Sequence, residues 1–126
     1  MAADSQFVGF VVESLRPLGP VGARRMFGGH GIFMHGLMFG LIADDQLYLK
    51  VDDGNRAAYD AQGLQPFTYA SRGKTRQLSY RQAPGEAFDD PEVLCAWGRE
   101  AFTAALRADA RKPSRRLGQP RERAAP

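Results

Sequence analysis

Near the start of the chain, apolar residues recur at intervals of three and four. This spacing, which places them on one face of a helix, involves Phe7, Val8, Val11, Val12 and Leu15. Asp4 or Ser5 is a suitable N-cap residue, and Pro17 disfavours helical geometry at Arg16. The pattern therefore predicts a first helix that ends before Pro17.

Between Arg24 and Lys50 the pattern changes to apolar runs of strand length, many of them aromatic or β-branched. Turn residues interrupt these runs at 35–36 and 43–45, and from 46 onwards apolar and polar residues alternate. The segment predicts a three-stranded antiparallel meander over about 24–34, 37–43 and 46–50.

The second half of the chain reads as a short helix followed by a hairpin. Asp52 or Asp53 can cap the helix, and Gly63 fits as its left-handed stop. The sequence "PFTYASRGKTRQLSY" predicts two strands joined at "RGK". A last helix is predicted to start at Asp90 and Pro91 and to keep one apolar face to about Arg107.

The order helix, three strands, helix, two strands, helix predicts an α+β fold. We expect an antiparallel sheet of about five strands with helices on one face. A single helix layer leaves the other sheet face uncovered, so that face is expected to be polar or to form a dimer contact. The predicted core consists of Phe7, Val11, Leu15, Phe27, Ile32, Phe33, Leu41, Leu47, Leu49, Leu94, Trp97 and Phe102.

Composition agrees with one globular domain. The chain has 126 residues, 44% of them hydrophobic and 25% charged. We expect a single domain over 1–109 and a basic, disordered tail over 110–126. The single cysteine excludes an internal disulfide, and no apolar run is long enough for a membrane span. No basic region with a cleavage site opens the chain, so a cytoplasmic location and no membrane partner are expected.

The net charge of +3 is unevenly distributed. Residues 1–110 hold eleven Lys and Arg against thirteen Asp and Glu, a net of −2, whereas residues 111–126 hold six against one, a net of +5. The excess of positive charge therefore belongs to the tail and not to the predicted domain.

The glycine-rich stretch "MFGGHGIFMHGLMFG", residues 26–40, invites comparison with ligand cradles. A dinucleotide fingerprint needs a third glycine where Met34 stands and a helix where a strand is predicted. A phosphate-binding loop needs a Lys and a Ser or Thr that this stretch lacks. We therefore interpret Gly28, Gly29 and Gly31 as residues that allow a bulge or a close strand crossing, with "HG" as a turn.

Other candidates for chemistry have simpler structural interpretations. His30 and His35 have no neighbouring ligands that would complete a metal site, and methionines among phenylalanines are typical of a core. Cys95 lies among apolar residues of the last helix and is interpreted as a structural thiol. The paired aspartates at 44–45, 52–53 and 89–90 sit at turns or helix starts. The sequence therefore predicts no enzyme, no metal and no cofactor.

Basic clusters leave nucleic-acid binding open. They comprise Arg24 with Arg25, a hairpin group of Arg72, Lys74 and Arg76, and a tail group that includes Arg111, Lys112, Arg115 and Arg116. The hairpin group could contact phosphates or simply be a solvated turn. The tail could attract nucleic acid without sequence preference or act as a solubilising end.

Several linked motifs resemble the N-terminal domain of the TfoX/Sxy family. The resemblance runs from about Val21 to Arg107; its most specific part is "MFGGHGIF" with "LYLK" following, supported by "PFTY" and a Trp-bearing last helix. It implies a small α+β domain similar in layout to type III secretion chaperones and expected to dimerise.

The same resemblance bears on function. Larger family members are linked to regulation of natural competence and carry a second, C-terminal domain, whereas this chain continues after Arg107 only as a short basic segment. The family supplies no catalytic residues. We therefore expect a regulatory or interaction domain, most simply a homodimer with an unidentified protein partner, and keep nucleic-acid association through the tail as the alternative.

Overall fold

The computed structural model describes residues 2–112. Its elements in chain order are α1 (Ala2–Leu15), β1 (Gly22–Met26), β2 (Gly29–Met34), β3 (Leu37–Ala43), β4 (Gln46–Lys50), α2 (Arg56–Ala61), β5 (Pro66–Ser71), β6 (Lys74–Gln82) and α3 (Pro91–Ala110). Two short 3-10 turns, Arg16–Leu18 and Gly85–Phe88, connect them. The predicted α+β fold is confirmed.

The strands form one antiparallel sheet of six in the order β1-β2-β3-β4-β6-β5. The expectation of about five strands came from treating residues 24–34 as a single strand. In the structure that segment is two strands, because the chain reverses at Phe27 and Gly28, where φ is 40° and 78°. Glycine at the second position is typical of such turns, as at Gly36 and Gly73. A positive φ is rare for an aromatic residue, however, so Phe27 makes this turn signal weaker than "HG" or "RGK".

Four two-residue turns with positive φ at both residues build the hairpins. Besides residues 27–28, they lie at 35–36, 44–45 and 72–73. Both residues of a type I′ turn need positive φ, and this turn matches the right-handed twist of the strands. The predicted turns at "HG", "ADD" and "RGK" are thus confirmed.

Gly29, at the start of β2, allows β2 and β3 to pack closely against each other. A Cβ on Gly29 would lie 2.1 Å from the Ile42 carbonyl oxygen, so the backbones of β2 and β3 could not pack as they do with any side chain there. The predicted close crossing is therefore present, whereas the bulge between β2 and β3 lies at Ile32 and Phe33.

Helix starts agree with the sequence only in part. Asp90 caps α3 by accepting the Glu92 N–H at 3.0 Å, with Pro91 at the first helical position, as predicted. By contrast, α1 begins at Ala2, so neither Asp4 nor Ser5 is its N-cap. The N-cap of α2 is Asn55 and not one of the preceding aspartates. Asp52 is instead engaged with a partner from α3.

The core lies between one sheet face and the layer formed by α1 and α3. Its buried members include Val11, Leu15, Ile32, Phe39, Ile42, Leu47, Leu49 and Leu94, with Phe7, Trp97 and Phe102 packed partly buried against them. Two predicted core residues were wrong: Phe27 is 53% exposed and Phe33 is only half-buried. Both belong to the β1–β2 hairpin, whose turn was not predicted.

Candidate interaction surface

The sheet face turned away from α1 and α3, here called the outer face, is not covered by any element among residues 2–112. Side chains alternate along a strand, so the neighbours of the core residues Ile32 and Ile42 point outward. Gly31, Leu41 and Tyr48 are consecutive partners across β2, β3 and β4 on this face. The expectation of one face without a helix layer is therefore met, although neighbouring side chains bury Leu41 completely.

One half of the outer face carries a methionine cluster, defined as Met26, Phe33 and Met38. A Cβ on Gly31 would lie 2.7 Å from the Met26 sulfur, 2.7 Å from Phe33 Cε1 and 2.9 Å from the Met38 sulfur. The three side chains thus close over the glycine. Met26 is exposed, and Phe33 and Met38 are half-buried, so the cluster presents apolar surface to solvent.

The other half carries an aromatic row, defined as Tyr48, Phe67 and Tyr69. The Tyr48 and Phe67 rings meet edge to face with centroids 5.0 Å apart, and the Phe67 and Tyr69 rings lie nearly parallel at 6.2 Å. Phe67 and Tyr69 come from β5 and Tyr48 from β4, so the row spans β6 between them. The three rings are therefore contiguous on the outer face, with Phe67 and Tyr69 nearly parallel and Tyr48 turned edge-on to Phe67.

Charge on the six strands has a single sign. Their Lys and Arg residues are Arg24, Arg25, Lys50, Lys74, Arg76 and Arg81, of which Arg81 pairs with Asp60 of α2, and no strand contains an Asp or a Glu. All acidic residues of the described chain therefore lie in helices and connections. The folded part is nearly neutral as a whole, but its sheet is positive and the remainder is negative.

Individual cations lie directly beside the outer-face rings. The Arg24 guanidinium sits over the Phe33 ring, 4.4 Å from its centroid. Arg76 is the cross-strand partner of Tyr69, so both side chains share a face. The end of the β5–β6 hairpin is exposed on both sides, since Thr68, Tyr69 and residues 74–77 are all exposed.

The predicted basic residues fall into separate groups. The structure brings Arg72, Lys74 and Arg76 together on the β5–β6 hairpin. Arg111 and Lys112 follow the end of α3 and lie near Lys50, whose pKa is lowered by burial and by their positive charges. Arg115 and Arg116 lie outside the described residues. The hairpin group and the end of α3 are therefore two candidate sites.

Sequence reasoning missed the outer-face residues that accompany the cations. Tyr48, Phe67 and Tyr69 were placed on strands but not on a common surface, and Phe33 was assigned to the core. The signal available in the sequence was the lack of acidic residues in every strand, which whole-chain counts conceal.

The two histidines and the cysteine are not grouped into a metal site among residues 2–112. No group of three His, Cys, Asp or Glu side chains able to hold a metal occurs in residues 2–112. His35 contacts the Phe102 ring edge-on with centroids 6.2 Å apart. Cys95 is buried and its thiol donates to the Ser14 carbonyl at 3.1 Å, while burial raises its pKa. Its predicted structural character is confirmed.

A cavity of about 310 Å³ lies between α2 and α3, with Tyr59, Trp97 and Glu100 in its lining. The Tyr59 and Trp97 rings meet edge to face at 4.9 Å, and the Tyr59 hydroxyl is buried with no hydrogen-bond partner among the described residues. Burial raises the pKa of this hydroxyl. The lining contains one acid, Glu100, and neither a histidine nor a cysteine.

Asp52 joins the loop after β4 to α3 through a bidentate ion pair with Arg107. Arg107 Nε donates to Asp52 Oδ2 at 2.6 Å and Nη2 donates to Oδ1 at 2.8 Å. These hydrogen bonds are the main reason why the pKa of Asp52 is lowered to about 2. Asp52, and not Asp53, thus links the loop after β4 to α3.

We expect Asp52→Asn to destabilise the fold by about 2 kcal/mol at neutral pH, the free energy equivalent to that pKa shift. Because folding lowers the pKa, the stabilisation is present above about pH 4 and is lost as the pH falls toward 2. Urea unfolding at about pH 7 and about pH 2.5 should show the difference from wild type shrink to less than half.

Asp53→Asn is the matched control for this change. Asp53 is almost fully exposed and pairs only with Arg56 on the surface, so its loss should change stability by less than about 0.5 kcal/mol. Equal effects of the two substitutions, or a difference independent of pH, would contradict the role given to Asp52.

Fold and surface together define an α+β domain with a six-stranded antiparallel sheet, helices on one face only and an apolar, cationic outer face. No described helix is long and apolar enough to cross a membrane. The chain belongs to the TfoX N-terminal domain family, whose model matches residues 13–105. None of the curated proteins compared with the chain matches it. The resemblance seen in the sequence is therefore confirmed.

Proposed function

We propose that this chain is a non-enzymatic regulatory and interaction domain that acts as a homodimer through the methionine-cluster half of its outer face. Membership of the TfoX N-terminal domain family supports a regulatory role, since the resemblance links larger relatives to natural competence. Burial of Cys95 and the turn and ion-pair roles of the aspartates support a role without catalysis.

The observation that carries the proposal is apolar surface concentrated at one end of the outer face. Phe27 at the β1–β2 turn is 53% exposed and Met26 beside it is 37% exposed, next to half-buried Phe33 and Met38. Contiguous apolar side chains in solvent mark interaction sites, and methionine adapts its shape to a partner.

A second copy of the chain suits this patch. Two-fold association brings the same patch together from both subunits, so each methionine cluster can bury the other. β1 is a five-residue edge strand with Arg24 and Arg25, features that discourage pairing by strand addition. Packing of face against face is therefore the expected contact.

We also propose a cytoplasmic location. The support is the single free cysteine, which is buried in the described fold and has no disulfide partner in the sequence.

The test is the mass of the protein in solution. Sedimentation at high micromolar concentration should give twice the 13.9-kDa chain mass. Phe27→Glu should give the single-chain mass, because a carboxylate at an exposed turn does not disturb the fold but cannot be buried unpaired in the interface. A wild-type protein that sediments as one chain at this concentration would contradict the proposal.

Leu106→Glu is the control for that experiment. Leu106 is 47% exposed but lies on α3, away from the outer face. The variant should keep twice the chain mass. If it dissociates and Phe27→Glu does not, the helix layer and not the outer face is the interface.

Nucleic-acid association through the basic tail is the second candidate. What supports it is the sequence charge of residues 111–126 and the two positive side chains, Arg111 and Lys112, that extend α3 beside Lys50. A chain truncated after Lys112, which lacks four of the six tail cations, should then lose most of its binding to nucleic acid.

A further inference from the structure

We propose that the aromatic row and the cations beside it bind single-stranded nucleic acid. The site consists of Tyr48, Phe67 and Tyr69 with Lys74 and Arg76. It is distinct from the methionine cluster and from the tail, so it depends on neither the homodimer nor the tail proposal.

The distribution of charge favours the sheet as the place where a polyanion binds. A domain whose residues 1–110 carry a net charge of −2 has no overall attraction for phosphates. Its charges are segregated, however, because the strands carry only cations while the acids lie in helices and connections. A polyanion is therefore attracted to the sheet and repelled by the helix layer, which fixes where it docks.

The chemistry of the rings suits unpaired bases. Exposed aromatic side chains on a sheet stack with unpaired bases, whatever the sequence, because every base has a flat π face. Phe67 and Tyr69 lie 21° from parallel, and Tyr69 is 40% exposed. A duplex keeps its base faces stacked inside, so the aromatic row favours single strands.

The cations are positioned beside the rings. Arg76 stands directly across from Tyr69, and Lys74 lies two residues along the same face of β6. Neither forms an ion pair within the described residues. Phosphates of a strand whose bases lie on the rings would come within reach of these side chains.

Other occupants fit this half of the face less well. At the aromatic row, a second copy would place Lys74 and Arg76 of both chains together with no acid between them, which costs free energy. At the methionine cluster, by contrast, Arg24 is already placed over the Phe33 ring of its own chain. An acidic protein segment would satisfy the charges but would leave the rings without the flat partners that bases provide. Binding of an acidic protein segment would not need the rings, whereas binding of a single strand would.

Fluorescence anisotropy with oligo(U), oligo(dT) and a duplex, each of about 12 nucleotides per strand, tests the proposal on the full chain. We expect both single strands to bind more tightly than the duplex, with affinity falling as salt rises from about 50 to about 200 mM.

Variants distinguish the contribution of the rings to binding from the contribution of the charges. Tyr69→Ala should weaken single-strand binding about 5- to 100-fold, whereas Tyr69→Phe, which keeps the ring, should not. Replacing Arg72, Lys74 and Arg76 together by Gln should reduce the slope of log K against log salt by about 2. Arg99→Gln, which removes a cation from α3, should change neither. Far-UV circular dichroism verifies that each variant is folded.

Several results would overturn the proposal. These are equal binding of duplex and single strands, wild-type affinity of Tyr69→Ala, or loss of all binding when the chain is truncated after Lys112. The last result would leave the tail as the site. Because Phe27→Glu should retain single-strand binding as a monomer, failure of the homodimer proposal would not affect this result.

Discussion

Phe39→Ala is expected to destabilise the domain by about 3–5 kcal/mol, the usual cost of removing a fully buried phenylalanine side chain. Phe39 is 0% exposed, and its ring meets the Phe102 ring edge to face at 5.5 Å. The side chain joins β3 to α3 at the centre of the core. A loss of this size is a large part of the stability of a small domain, so the variant should unfold at a much lower urea concentration.

Phe27→Ala provides the comparison. The two phenylalanines belong to the same glycine-rich stretch, but Phe27 is more than half exposed, and its truncation should cost less than about 1 kcal/mol. Urea unfolding followed by circular dichroism measures both. Similar losses for the two variants would contradict the assignment of Phe39 to the core and Phe27 to the surface.

Gly29→Ala is expected to be at least as damaging, about 3 kcal/mol or more, because no side-chain movement can relieve the clash. The added Cβ would meet the Ile42 carbonyl oxygen of the neighbouring strand at 2.1 Å. β2 and β3 would have to separate, and their hydrogen bonds around His30 and Ile42 would be broken.

Gly22→Ala is the matched control for this glycine. Gly22 is also a strand residue, but nothing lies within 4 Å of a Cβ placed there, so alanine should be tolerated and, by restricting the unfolded chain, could stabilise slightly. Equal free energies of unfolding for Gly29→Ala and Gly22→Ala would contradict the close approach of β2 and β3.

The fold class could be predicted because the strongest local signals in the sequence coincide with helix ends and turns in the structure. The Asp90–Pro91 helix start, the Gly63 stop and three of the four hairpin turns lie where residue type indicates them. The turn at Phe27 was missed because an aromatic residue seldom has positive φ, so the glycines after it were interpreted as a bulge or a close crossing and not as a turn. That one turn changed the number of strands from five to six.

The candidate surface was predictable only in part. The cations at Arg72, Lys74 and Arg76 and an uncovered sheet face followed from the sequence. The aromatic row did not, because Tyr48 and Phe67 are nearly twenty residues apart and are brought together only when β6 pairs with both β4 and β5. Strand order depends on non-local pairing, which residue patterns do not specify.

The central claim is that the outer face, and not the helix layer, is the surface through which this domain works. A residue-resolved map of backbone amide NMR shifts over a dilution series tests it most directly. The account predicts concentration-dependent shifts centred on Phe27, Gly31 and Phe33, with exposed residues of α3 such as Arg99 and Leu106 unchanged. Shifts confined to α1 and α3, or no shift at any concentration, would contradict it.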